Sequence, residues 1–147
     1  MRIFSHTCSN TEIVCALSCA PMLVGVDADS DHPPEAIAGL PKAGRDLDLD
    51  ADAVLGLEPD LVLTSLTVPG HERVVAALQA AGLRTLVCDP QSLDDVYGDI
   101  RRIAASPQRL RCQRAARRWW RRWRPRCRAS SRIGRAQRCW SNGGPSR

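Results

Sequence analysis

Residues 57–90 read LEPDLVLTSLTVPGHERVVAALQAAGLRTLVCDP, and this stretch admits few arrangements. Leu61, Val62, Leu63 and Thr64 form a short apolar run of the length a buried strand has. Pro69 and Gly70 break it. Val74, Val75, Leu78 and Ala81 then fall on one stripe of a helix, opposite Glu72, Arg73 and Gln79. Gly82 stands where a helix C-terminal glycine belongs. Thr85, Leu86, Val87 and Cys88 make a second strand, closed by Asp89 and Pro90. Strand, helix and strand with short joints is a βαβ unit, so its strands are expected to be parallel and its crossover right-handed.

The segments before and after it fit the same plan. Arg2, Ile3 and Phe4 read as a first strand. Ser9, Asn10, Thr11 and Glu12 read as a capping box, Ser9 at the N-cap, with Ile13, Leu17 and Ala16 buried behind it. Leu23 to Val26 is a second strand, leading into an acidic loop with Asp27, Asp29 and Asp31. Residues 42–48 read as loop. Asp50 caps a short helix over 51–57, and Ser92 caps a helix carrying Val96, Ile100 and Ile103. Alternating short strands and helices imply an α/β fold: an open, mainly parallel sheet with helices on both faces. In such sheets ligands bind at the carboxyl ends of the strands. That singles out the loops 6–9, 27–32, 65–70 and 89–92.

Composition splits the 147 residues in two. All 16 acids lie before residue 104, with 7 basic residues; the remaining 14 are arginines of residues 104–147, which also hold all four tryptophans (Trp119, Trp120, Trp123, Trp140). The seven cysteines form no C-x-x-C pair and have no histidines at zinc spacing, so neither a zinc site nor a disulfide framework is implied. Cys15 and Cys88 sit on apolar faces, as small core residues do. There is no G-x-G-x-x-G and no P-loop. His6, His32 and His71 each stand alone and read as solvated loop side chains. No catalytic or metal-ligating set emerges and no cofactor is implied, which leaves a binding lobe rather than an enzyme. The start shows no signal peptide and no run spans a membrane, so the chain as written reads as cytoplasmic.

Several segments, in order and at suitable spacing, carry a resemblance. They are Arg2-Ile3, Ser9-Asn10-Thr11-Glu12-Ile13, Leu23-Val24-Gly25-Val26, Ser30-Asp31-His32-Pro33-Pro34-Glu35, Leu40-Pro41-Lys42, Leu57-Glu58-Pro59-Asp60-Leu61-Val62 and Leu83-Arg84-Thr85-Leu86-Val87. Residues 1–105 resemble the N-terminal lobe of the substrate-binding proteins of cobalamin and iron-siderophore ABC importers. The resemblance implies non-covalent capture of a corrinoid or iron chelate, such as cobalamin or a haem-type ligand, in a cleft between two lobes. It implies delivery to an ABC permease by a monomer, with no nucleic-acid partner. The ligand-facing residues would be Cys8, Ser9, Asp29, Asp31, His32, Ser65, Leu66 and Thr67. Asp52, in the first turn of the short helix, would dock to permease arginines. The aromatic residues that stack on a corrin are missing; Asp29, His32 and Asp46 stand where relatives often carry Tyr or Trp.

Residues 106–147 depart from that pattern. One reading is a genuine basic tail: RRWWRRWRPR mixes arginine and tryptophan as segments that bind nucleic acid or an anionic membrane surface do. The favoured reading is out-of-frame translation that truncates the family pattern. Shifted by one base, Trp119 and Trp120 encode valine, and residues 139–147 are compatible with V-L-V-E-W-W-P-K-P. The latter resembles the opening strand and loop of a second lobe. Such a tail is expected to be disordered or weakly helical.

Overall fold

The computed structural model describes residues 1–106. Its main sheet has four parallel strands in the order β2-β1-β5-β6: β1 Ile3–Ser5, β2 Leu23–Val26, β5 Leu61–Ser65 and β6 Thr85–Cys88. Helices α1 (Cys8–Ala16), α2 (Pro34–Ile37), α3 (Ala51–Gly56), α4 (His71–Ala80) and α5 (Leu93–Ala105) connect or follow them. A small hairpin, β3 (Gly44–Arg45) and β4 (Asp48–Leu49), occupies the segment that the sequence suggested was loop. Gly44 makes the hairpin possible. Its φ is +97°, and a Cβ there would strike the Asp48 carbonyl oxygen.

Side chains alternate across the sheet as a period of two requires. Ile3, Leu61 and Leu63 point to one face, where they pack with Val14 of α1, Leu17 at its C-cap and Ile103 of α5. Phe4 and Val62 point to the other, against Val54 of α3 and Val74 and Leu78 of α4. The helices therefore cover both faces. The described part is an α/β lobe with two half-cores.

Local chemistry explains most helix ends. The Asp50 carboxylate accepts from the N–H groups of Asp52 and Ala53, and the Ser92 hydroxyl accepts from Asp95. Gly82 is left-handed, φ +77°, one residue past the C-cap of α4. The capping box is a correction. Helix α1 begins one residue before Ser9, its N-cap is Thr7, and no side chain caps it. Its buried side chains are Asn10, Thr11 and Val14, followed by Leu17, whereas Ile13 is only half-buried and Ala16 is exposed. Its first turn sends Asn10 and Thr11 inward onto the His6 carbonyl, Ser5 and Ser30, and only its later part, with Val14, meets the apolar sheet. Strand β6 is also less buried than its sequence suggests, because it is the edge of the sheet.

Among the described residues no helix is long and apolar enough to cross a membrane. The expectations for the tail, including the frameshift and its disorder, concern residues 106–147, which apart from Ser106 lie outside the described residues.

Candidate functional site

From β1 the chain crosses to β2 on one side, while β5 pairs with β1 on the other. The connections therefore part company at the carboxyl edge between β1 and β5, the place where open α/β sheets leave a crevice. Polar side chains converge there. Ser5, His6, Thr64, Ser65 and His71 are all buried.

His6 leaves β1 with its N–H on the Leu63 carbonyl (2.9 Å), which continues the sheet by one residue. Its Nδ1 lies 2.8 Å from Thr64 Oγ1, and its Nε2 lies 2.8 Å from the Asp46 carbonyl and 3.3 Å from Asp46 Oδ1. His71 opens α4; its Nδ1 lies 3.3 Å from Ser65 Oγ and its Nε2 3.0 Å from the same Asp46 Oδ1. The two rings meet edge to face, with centroids 5.0 Å apart. Asp46 sits between β3 and β4 and is partly exposed. The reading of His6 and His71 as separate, solvated loop histidines is thus wrong; both are fully buried and share one carboxylate. Burial pulls the His6 pKa below its ordinary value, against the pull of the Asp46 carbonyl and carboxylate.

A second polar knot holds the neighbouring loops. Thr7 has φ 80°, a region that β-branched residues rarely enter. Its N–H there donates to the buried Asp27 carboxylate, which also accepts from Ser30 N–H. The Thr11 hydroxyl lies 3.0 Å from Ser5 Oγ and 2.9 Å from Ser30 Oγ. Asn10 Nδ2 donates to the His6 carbonyl (3.0 Å). These bonds fix how β1 hands over to α1. Asp27, read from sequence as one acid of an acidic loop, is buried and acts as an internal brace.

The residues proposed from sequence divide into groups. Cys8 Sγ donates to the Asp29 carbonyl, and the Asp29 carboxylate accepts from Asp46 N–H and Arg45. The Asp46 N–H, and after it the Arg45 guanidinium, hold the Asp29 carboxyl below its usual range. This pair therefore leans on the hairpin beside the histidines. Ser9, Ser65 and Thr67 line one small pocket of about 90 Å³ together with Asn10, Cys88 and Asp99. Leu66 is half-buried above β5. Asp31 and His32 are exposed, and His32 lines a different depression, with Glu12, Cys15 and Pro33. Asp52 is exposed in the first turn of α3. A pocket of that size lies far below the ~300 Å³ or more that encloses a drug-sized ligand, so this edge offers a wall rather than an enclosure.

Cys88 closes that pocket from below. Burial, and then the Asp99 carboxylate, push its thiol up to about 12. In the folded protein at pH 8 iodoacetamide is expected to leave Cys88 unmodified, and to label it once urea unfolds the chain. Peptide mapping by mass spectrometry reads this directly; labelling of Cys88 without unfolding would contradict the burial.

No family model matches the chain. Among curated proteins it is similar to the vitamin B12-binding protein of Salmonella choleraesuis, 30% identical over 116 residues, which span 78% of this chain and 42% of that protein. The ABC transporter substrate-binding lipoprotein YvrC of Bacillus subtilis, itself uncharacterized, is 35% identical over 104 residues, 69% of this chain and 32% of that one. Among solved structures, the periplasmic haem-binding protein RhuT of Roseiflexus sp. RS-1 superposes with a TM-score of 0.63 at 34% identity, over 78% of this chain and 44% of that one. The described chain is one lobe of the ABC-transporter substrate-binding fold. It spans less than half the length of the relatives it matches. The cytoplasmic reading is corrected by the same relatives, one a lipoprotein and one periplasmic. Export leaders are processing segments and not part of a fold, so the first residues of a lobe say nothing of its compartment.

Proposed function

We propose that this lobe is half of the capture site of an ABC importer, taking a corrinoid or haem-type metal chelate and passing it unaltered to a permease. The observation that carries the reading is the similarity at 30–34% identity to proteins that bind vitamin B12 or haem. The carboxyl edge of the sheet would be one wall of the cleft, with Cys8, Ser9, Asp29, Asp31, His32, Ser65, Leu66 and Thr67 on or near it. Polar loops in place of stacking aromatics would meet the amide or carboxylate fringe of such a ligand rather than its ring face. Asp52, exposed at the positive end of α3, would meet a basic patch of the permease.

Titration calorimetry of the full chain with cyanocobalamin and, separately, haemin tests the reading. One of the two is expected to bind saturably at one per chain. Heat no greater than dilution for both would overturn it.

A further inference from the structure

We propose that His6, His71 and Asp46 form a binding site for a divalent transition-metal ion of the zinc class, at the switch point between β1 and β5. Each of the three side chains offers one donor atom within 4.8 Å of the others, and it is the Nε2 atoms of the two histidines that approach Asp46 Oδ1. The two nitrogens lie 3.3 and 3.0 Å from that oxygen. A tetrahedral zinc ion with bonds of about 2.0–2.1 Å sets its ligands about 3.3–3.4 Å apart. The spacing therefore fits an ion with small adjustments.

The other side of each ring is prepared in the way metal-binding histidines require. Thr64 Oγ1 and Ser65 Oγ, neighbours at the tip of β5, stand by the two Nδ1 atoms. With Nδ1–H donated to those hydroxyls, both Nε2 atoms would be free for an ion; without one, His6 Nε2–H donates to the Asp46 carbonyl at 2.8 Å, a bond that the ion would replace. The surroundings want a cation. Asp27, Asp29 and Asp46 gather at this edge; Arg45 pairs with Asp29, but among the described residues no lysine or arginine pairs with Asp27 or Asp46. Both histidines are fully buried while Asp46 is partly exposed, so an ion would have three protein donors and one side turned to solvent. Two imidazoles and a carboxylate suit zinc, cobalt or ferrous iron and disfavour calcium and magnesium. The site stands whether or not the lobe captures a corrinoid or haem.

The competing arrangement uses the same atoms as a metal-free hydrogen-bonded triad, with both Nε2–H groups donating to Asp46. Titrating the full, reduced, EDTA-stripped chain with Co²⁺ alone separates the two. The expected result is one bound ion per chain, with the visible absorption of a four- or five-coordinate cobalt site and no thiolate-to-metal charge-transfer band. That band would report binding by cysteines instead. Zn²⁺ is expected to displace the cobalt one for one. Asp46→Asn, which keeps the shape and an acceptor for the rings, is expected to weaken Co²⁺ binding about ten-fold or more while its far-ultraviolet circular dichroism stays unchanged. Three results would each overturn the site: no cobalt retained by the folded parent, a charge-transfer band accompanying whatever binds, or His71→Gln and Asp46→Asn both binding as tightly as the parent.

Discussion

Asp27→Ala is expected to destabilise the lobe by about 3–5 kcal/mol, because it strands two buried N–H groups at once. The side chain is fully buried and accepts from Thr7 N–H and Ser30 N–H. Alanine offers no acceptor, and each orphaned donor keeps its desolvation cost. Thr7 adds to the loss, since its φ of 80° is held in place by that bond. Asp27→Asn separates charge from shape. Its amide oxygen can serve one donor, while its NH2 group faces the other, so roughly half of the loss is expected. Urea unfolding followed by circular dichroism measures both. A midpoint for Asp27→Ala within error of the parent would show that Asp27 is not a brace.

Phe4→Ala is the second large effect, about 3–5 kcal/mol, set by a different mechanism. Phe4 is the only phenylalanine of the chain and is completely buried in the half-core under α3 and α4. It pairs in register with Gly25 of β2, whose missing side chain leaves space for the ring; a Cβ on Gly25 would stand 3.1 Å from Phe4 Cδ2. Truncation leaves a cavity bounded by sheet and by Leu57, neither free to collapse inward. Stabilities of single domains run about 5–15 kcal/mol, so either substitution removes a large share. In urea the midpoint should fall while the slope stays unchanged. A steepened or flattened slope would instead point to altered compactness of the unfolded chain.

How far the sequence carries can be seen residue by residue. The βαβ unit is legible because apolar periodicity reports burial directly: Val74, Val75 and Leu78 are buried as their stripe requires. The caps at Asp50 and Ser92 are local and form as read. What the pattern hides is polar burial. His71 lies three residues before Val74 on the same stripe, and that phase was the available signal for its burial. Its partner Asp46 is 25 residues away and comes from a hairpin too short for periodicity to register. Asp27 reads as one more loop acid, because the two backbone groups that hold it are specified by folding rather than by residue type. Thr7, whose N–H is held by Asp27 of the neighbouring loop, takes the N-cap place that Ser9 was read to hold, and that bond too is specified by folding rather than by residue type.

The placing of β1 beside β5 also orders events in time. The histidine pair joins position 6 to position 71, and Asp46 lies 40 residues from one and 25 from the other. During synthesis, a chain that has not yet emerged past residue 71 cannot assemble the cluster, however well its first strands behave. Contacts this far apart in sequence form late and slowly. Assembly of the cluster would therefore serve as a clock for the docking of β5 on β1, separating a collapsed nascent chain from one whose central strands have paired.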